Sequence, residues 1–227
     1  MNLHFNRSSL CLRAFTITEF VIVVLALVVL VLLLLPWLIQ SRAKSCRVLC
    51  VQNQHQNSKA HRAFLDFHTN PVTRLESFTM QLSTNHGGTL EFVGTGKVAA
   101  HYQNMATELG SPMSLVCPDD KGRIRRSDFH TALNNSNVSY AVGLDADESQ
   151  TNTILISDNH MTSSLPRKGS IIELSASNLV SWTPQLHGGG GNIGLADGSV
   201  QMLNNTGLWK QASTAMASAP TNRLEFP

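Results

Sequence analysis

The pattern of apolar and polar positions divides the chain into three stretches. From Phe20 to Ile39 the chain is apolar and carries no charged residue, which is enough helix to cross a hydrocarbon core of roughly 30 Å. Residues 40–69 contain neither glycine nor proline, and small and apolar residues recur there at three- and four-residue steps, which predicts a continuing helix. From residue 70 onward the segments are short and rich in turn residues, which indicates strands joined by tight loops.

The third stretch predicts an antiparallel sheet. Strands are expected at 87–94, 139–145, 152–159, 169–175 and 191–203, and an ambiguous helix at 96–110. The tail from Lys210 to Pro227 has little pattern, and we expect it to be irregular. The predicted fold is therefore α+β, with a long N-terminal transmembrane-plus-stem α-helix packed on a C-terminal antiparallel β-sheet head.

The strongest local signal in the head is the Asp197-Gly198 pair, which favours a two-residue hairpin turn of type I′. That turn would pair Leu195 with Val200, and the next apolar pair, 193 with 202, would then lie on the same face of the sheet. Because the register and the apolar pattern agree, a hairpin is predicted here.

The predicted organisation is a short polar and basic segment at 1–14, a transmembrane helix at 15–39, a stem helix at 40–69 and a globular head at 70–227. The segment 42–62 carries basic residues and no acid, whereas the rest of the head is mildly acidic, and the net charge of the 227 residues is +2. This balance does not indicate a nucleic-acid partner. Basic residues also lie on both sides of the apolar run, so charge does not decide its orientation.

Glu19 stands at the start of the apolar run, where a carboxylate needs an explanation. It could sit at the membrane interface, in a first helical turn whose dipole favours an acid. Alternatively, if the chain is cut after Ala14, the new amine of Phe15 in one subunit could pair with Glu19 of its neighbour. A cleaved secretory signal fits poorly, because the run is too long and its last part is Pro36-Trp37-Leu38 instead of a small-residue cleavage site.

The segment "AFTITEF", followed by a long apolar helix, resembles the class III signal of type IV prepilins and type II secretion pseudopilins. The resemblance implies that residues 1–14 are a leader peptide, removed by cleavage between Ala14 and Phe15. It also implies N-methylation at Phe15, assembly through Glu19 and a helix-kinking role for Pro36. The family normally has glycine where this chain has Ala14, so we expect cleavage to survive at a lower rate.

Three further motifs resemble a particular group of pilin-like proteins. That group has a Cys-x-x-Asn-x-x-Gln stem, a later Cys-Pro-x-Asp and a terminal His-x9-Asp-Gly motif. The corresponding residues are Cys50, Asn53 and Gln56; Cys117, Pro118 and Asp120; and His187, Asp197 and Gly198. Many relatives have histidine after the Asp-Gly pair, where this chain has Ser199.

The cysteines leave three alternatives open. A disulfide between Cys50 and Cys117 would tie the stem to the head in an oxidising compartment, although Cys46, one helical turn before Cys50, competes for the same partner. The thiols could also stay free. A metal site is the third alternative, but C-x3-C with one distant cysteine is a poor zinc pattern.

The His-x9-Asp-Gly motif also has two interpretations. In one, His187 and Asp197 are ligands of a cation, with Asp158 or His160 completing the set. In the other, Asp197 is a turn residue and His187 is a hydrogen-bonding pin. We expect no cofactor, and calcium in the acidic loop "GLDADES" stays an open alternative.

The chain has no Gly-x-Ser-x-Gly elbow and no His-Glu-x-x-His motif, so we predict that it is not an enzyme. The resemblance implies a structural subunit of a pilus or type II secretion-like pseudopilus, with prepilin peptidase and other pilin-like subunits as partners. It also implies a single-pass protein of the bacterial inner membrane with a periplasmic head. The alternative is a signal-anchored periplasmic binding module with a metal or glycan site in the head.

Overall fold

The computed structural model describes residues 16–68, 78–219 and 221–227. The chain forms two compact units, Met1–Arg42 and Ala43–Pro227. The predicted leader at 1–14 and the predicted cleavage between Ala14 and Phe15 lie outside the described residues.

Helix α1, Ile17–His68, is 52 residues long and includes Pro36. Its large apolar side chains between Ile17 and Ile39 are exposed, with Val24 at 42% and Ile17 at 84% marking the range. Within the described part of the chain, α1 is the one helix that is long and apolar enough to cross a membrane. The predicted long apolar N-terminal helix is confirmed.

The second unit is built on an antiparallel sheet of six strands, which confirms the α+β class. Its strands are β1 Tyr140–Gly143, β2 Ile154–Asp158, β4 Ile171–Glu173, β6 Gly191–Leu195, β7 Val200–Leu203 and β8 Arg223–Glu225. Across the sheet they lie in the order β4, β8, β1, β2, β6, β7. A separate pair consists of β3 Met161–Ser163 and β5 Val180–Trp182.

The remaining helices are α2 Val98–Asn104, α3 Ala106–Leu109 and α4 Asn205–Ser218, so the ambiguous helix at 96–110 is present as two short helices. Between and around them, the chain makes single 3₁₀ turns. These turns are Thr79–Gln81, Thr84–His86, Leu90–Phe92, Pro112–Leu115 and Asn135–Asn137.

The two faces of the sheet bury two apolar clusters. Tyr140 and Val142 of β1 belong to the cluster that contains Phe64 of α1. Ala141, which points the other way in the same strand, belongs to the cluster that contains Ile193 of β6 and Leu208 of α4. The head portion of α1 and helix α4 therefore contribute to opposite sides of the sheet.

The strand predicted at 87–94 is wrong. This segment holds the 3₁₀ turn Leu90–Phe92 instead, and the backbone at Gly94 and at Gly96 has φ of 78° and 74°. The amides of these two glycines donate to the carboxylate of Glu225, at 3.0 and 2.9 Å. Because positive φ at both glycines turns the chain toward that carboxylate, an extended strand is not formed.

The irregular tail predicted at 210–227 is also wrong. It contains most of α4 and all of β8. Asn204 caps α4 by accepting a hydrogen bond from the amide of Gly207, and Leu208, Ala212 and Ala215 form its buried face. Two of these three are alanines, so the apolar contrast along the helix is weak although alanine is the best helix former.

The hairpin at Asp197-Gly198 exists, but its predicted register is wrong by one residue. Gly194 pairs with Val200, and the amide of Leu195 donates to the carbonyl of Ser199. The loop is therefore three residues long and ends at Gly198, whose φ is 85°. A type I turn followed by a left-handed glycine gives this geometry, and it leaves Met202 exposed instead of beside the buried apolar residues of β6.

Candidate functional site

Four side chains from separate parts of the chain meet in the interior of the second unit. Cys50 lies on α1, Cys117 follows the 3₁₀ turn at Pro112–Leu115, Asp158 ends β2, and His187 lies in the loop before β6. The sulfur atoms of Cys50 and Cys117 and a ring nitrogen of His187 all lie within 4.8 Å of one another. We call these four residues the Cys-His-Asp cluster.

The distances within the cluster are short. Cys117 Sγ is 3.4 Å from His187 Nε2, and Cys50 Sγ is 3.4 Å from Asp158 Oδ1. His187 Nε2 is 3.7 Å from Asp158 Oδ2. Both thiols are free in this structure, and the four side chains are almost completely buried. The structure therefore brings together the two cysteines considered for a disulfide and two of the residues considered as metal ligands.

Neighbouring groups hold Asp158 in place. Its Oδ1 accepts a hydrogen bond from Gln54 Nε2 at 2.8 Å, and its Oδ2 accepts one from the amide of Asn192 at 2.7 Å. The hydroxyl of Tyr140 lies 3.5 Å from Cys50 Sγ. The two hydrogen bonds to Asp158 come from α1 and β6, so the sheet and the stem helix together fix the orientation of the carboxylate, while β1 contacts Cys50.

His187 is held from the opposite side of its ring. Its Nδ1 faces Asp119 Oδ2 at 3.6 Å, and its backbone amide donates to the same oxygen at 3.4 Å. His187 has a φ of 53°, the one positive φ of a non-glycine residue in the described chain. Such strain persists where the surroundings enforce it, and it is common at functional sites.

The electrostatics of the cluster favour a thiolate at Cys117. A hydrogen bond from Cys50 and another from His187 lower the pKa of Cys117 to about 5, against the opposing effect of burial. The same hydrogen bond to Cys117, together with burial, raises the pKa of Cys50. Desolvation raises the pKa of Asp158 to about 7. Burial tends to lower the pKa of His187, but the hydrogen bond to Cys117 and the nearby carboxylates raise it overall.

The structure does not place Asp197 in this cluster. The strand β6 lies between His187 and Asp197 and separates them by roughly 17 Å of extended chain. Asp197 Oδ1 accepts a hydrogen bond from the amide of Ser199 at 2.8 Å, and its carbonyl accepts one from Arg62. The carbonyl of Gly198 lies 3.0 Å from His55 Nδ1. The hairpin turn thus docks on α1, while His187 belongs to a different site.

The other candidate ligands have structural partners. The ring of His160 packs edge-on against that of His187, with ring centroids 6.0 Å apart, and its Nε2 faces the carbonyl of Gly190 at 3.2 Å. In the acidic loop considered for calcium, Asp147 accepts hydrogen bonds from the amide and hydroxyl of Ser149. Asp145, in the same loop, pairs with Arg223.

The N-terminus of α1 carries the second candidate feature. Glu19 Oε2 accepts hydrogen bonds from the amide and the hydroxyl of Thr16, both at 3.0 Å, and Thr16 Oγ1 accepts one from the amide of Glu19 at 3.3 Å. This reciprocal pair is a capping box. In the isolated chain, the Glu19 carboxylate therefore satisfies the backbone amide of Thr16 at the start of the helix.

Sequence reasoning named the four cluster residues but did not join them into one site. It also missed Gln54 and Asp119, which orient the cluster. The available signal was weak: Asp119 stands two residues after Cys117, and Gln54 stands one helical turn after Cys50. Their convergence depends on the packing of α1 against the sheet, which spacing along the chain does not reveal.

No family model, no curated protein and no solved structure matches this chain. Its function is therefore argued from the geometry of α1 and of the Cys-His-Asp cluster. The cluster offers two sulfurs, one imidazole nitrogen and carboxylate oxygens, a set that can hold a metal ion. Helix α1 offers a long apolar surface that begins at a single carboxylate.

Proposed function

We propose that the chain is a structural, pilin-like subunit that a prepilin peptidase processes and that assembles into a pilus or a type II secretion-like pseudopilus. The observation that carries the proposal is the apolar part of α1, which is exposed along its whole length and has Glu19 in its first turn. This arrangement fits a helix that is first held in a membrane and later bundled with copies of itself or with related helices.

The exposed apolar surface requires a cover. Large side chains such as Leu33 and Trp37 are 70% and 66% exposed, and a continuous surface of this kind marks a membrane or protein contact. A lipid bilayer covers it in the membrane-held form. In a filament, the same side chains would pack against neighbouring helices, so one surface serves both states.

Glu19 supplies the specificity that an all-apolar surface lacks. In lipid, apolar side chains give little preference for one register over another, because the lipid tails are equally apolar. A buried carboxylate that needs a cationic partner imposes a register, since leaving it unpaired costs several kcal/mol. The partner would be the amine that cleavage creates at Phe15 of the adjacent subunit.

The first test is the N-terminal residue and the intact mass of the full-length protein isolated from membranes of cells that contain a prepilin peptidase. We expect a chain that starts at Phe15 and carries one added methyl group. A chain that retains residues 1–14 in such cells would overturn the proposal. It would leave Glu19 as a helix cap in an ordinary membrane anchor.

The second test separates the assembly role of Glu19 from its capping role. Glu19→Gln keeps the capping hydrogen bonds, because glutamine also serves in a capping box, but it removes the charge. Thr16→Val removes the hydroxyl of the cap and keeps the charge. We expect Glu19→Gln to reach the membrane and to be lost from cross-linked subunit ladders, whereas Thr16→Val still assembles. Normal assembly of Glu19→Gln would refute the ion-pair mechanism.

A further inference from the structure

We propose that the Cys-His-Asp cluster is a structural zinc site, with Cys50, Cys117 and His187 as ligands and Asp158 at the fourth position. The site lies entirely within the second unit, so the inference does not depend on the filament function. The ion would join helix α1 to three other parts of the head: the segment after the Pro112–Leu115 turn, the end of β2 and the loop before β6.

The spacing of the donor atoms matches a tetrahedral zinc ion. With Zn–S of about 2.3 Å and Zn–N of about 2.0 Å, tetrahedral angles place sulfur and nitrogen about 3.5 Å apart. Cys117 Sγ and His187 Nε2 are 3.4 Å apart, and Cys50 Sγ and Asp158 Oδ1 are also 3.4 Å apart. The three sulfur and nitrogen donors lie within 4.8 Å of one another. Small shifts of the side chains would complete the coordination.

The donor types select the metal. Thiolate and imidazole ligands in a tetrahedral arrangement are typical of zinc. Calcium instead takes six to eight oxygen ligands, so the sulfur and nitrogen donors of this cluster do not suit calcium. Four protein ligands would fill the coordination sphere and leave no open position for a substrate, which is the pattern of a structural zinc site rather than a catalytic one.

The groups around the cluster supply the outer shell that metal sites need. A ligating histidine usually presents its second ring nitrogen to a carboxylate, and His187 Nδ1 faces Asp119 in this way. A ligating carboxylate is usually hydrogen-bonded, and Asp158 accepts from Gln54 and from the amide of Asn192. These contacts orient the two side chains toward the cysteines.

Burial gives an independent reason for an ion. The cluster buries a carboxylate and two thiols, with Cys50 and Asp158 fully inaccessible and Cys117 1% exposed. A buried carboxylate is costly unless it is paired with a cation or coordinates a metal, even when it is hydrogen-bonded. Zinc binding would release the thiol protons and place a divalent cation among the anionic ligands, which compensates the buried negative charge.

The experiment measures metal in the full-length protein, purified in mild detergent with an affinity tag that contains no histidine. Elemental analysis should find about one zinc per chain in the wild type. Cys117→Ser and His187→Ala should each lose most of it. Cys46→Ser is the matched control, because Cys46 lies one turn before Cys50 on α1 but outside the cluster, and it should keep the metal.

A second measurement tests the site even if a variant folds poorly or if the protein loses its metal during purification. Wild-type protein is reduced, stripped with a chelator and titrated with Co²⁺. A near-ultraviolet charge-transfer band that depends on Cys117 and persists in Cys46→Ser would show thiolate ligation. Stripping should also lower the melting temperature of the wild type, and added Zn²⁺ should restore it.

Three results would overturn the proposal. The first is wild-type protein without zinc, in which mass spectrometry under non-reducing conditions finds a disulfide between Cys50 and Cys117. The second is reduced protein that takes up neither Zn²⁺ nor Co²⁺. The third is zinc content that is unchanged in both Cys117→Ser and His187→Ala.

Discussion

A buried histidine on α1 should make the stability of the head depend on pH. His61 is fully buried, and among the described residues neither of its ring nitrogens has a hydrogen-bond partner. Its ring packs edge-on against Tyr102 and Phe78, with centroids 5.8 and 6.2 Å away. Burial lowers the pKa of His61 to about 3, and the nearby His101 acts in the same direction.

The direction of the pH dependence is set by the difference between the pKa of His61 in the folded chain and in the unfolded chain. An unfolded histidine has a pKa of about 6.5, so between this value and about 3 the unfolded chain binds a proton that the folded chain does not. The free energy of unfolding therefore falls as the pH falls through this window. Between pH 7.5 and pH 5.5 the loss should be roughly 1 kcal/mol, a value set by the unfolded pKa because the folded pKa lies far below this range.

The test variant is His61→Leu, which replaces the imidazole by an apolar side chain of similar volume. The variant therefore has no titratable group at this position. Urea unfolding of full-length wild type and variant in detergent would be followed by tryptophan fluorescence at pH 7.5 and pH 5.5. The quantity of interest is the difference between the two proteins in their pH-dependent change. Asp158 and His160, whose pKa values are also shifted, are present in both proteins, so their contributions cancel.

We expect the variant to lose about 1 kcal/mol less than the wild type on acidification. Equal losses in the two proteins would contradict the assignment of a lowered pKa to His61, because they would mean that His61 can take up a proton in the folded state. In that case α1 would have to admit water or an acidic partner at this position.

Two other changes test the sheet, both by urea unfolding of the full-length protein. Gly143→Ala would place a Cβ 1.8 Å from the carbonyl oxygen of Ile154 and should lower the free energy of unfolding by about 2 kcal/mol or more. The control Gly122→Ala, at an exposed site, should change it by less than about 0.5 kcal/mol. Equal effects of the two substitutions would contradict the close approach of the backbones at Gly143. Asp145→Asn weakens the charged hydrogen bonds from the amide and guanidinium of Arg223 and should lower the free energy of unfolding by about 1–3 kcal/mol. The control Glu173→Gln breaks an exposed ion pair with Lys168 and should lower it by under about 1 kcal/mol. A larger loss from the Glu173 change would show that the anchoring of β8 is misjudged.

The sequence predicted those elements whose pattern is local. Helix α1 was evident from its long apolar run and from the absence of glycine and proline between Pro36 and Pro71. The strands β1, β2 and β6 were found because each is a compact run with β-branched residues between turn signals. In these cases, residues a few positions apart decide the structure.

The missed elements depend on distant partners. Strand β8 is three residues long and exists because it pairs with both β1 and β4. The hairpin register was misjudged because a glycine at position 198 suits the last, left-handed position of a three-residue loop as readily as it suits a two-residue type I′ turn. The buried polar residues of α1, such as Gln54 and His61, are inside because the head covers them. Likewise, the Cys-His-Asp cluster required four remote segments to be brought together.

The position of β8 has a consequence for how the protein is made. Residues 223–225 fill the gap between β4 and β1 in the sheet, so the sheet cannot close until this late part of the chain has been synthesised and has reached the same compartment as the rest. Until then, β1 and β4 each present an unpaired edge, which is prone to aggregation. The long loops that this pairing must close also make folding slow. A nascent head would therefore depend on chaperones until β8 is available, and truncation before residue 223 should leave a species that quality-control proteases remove.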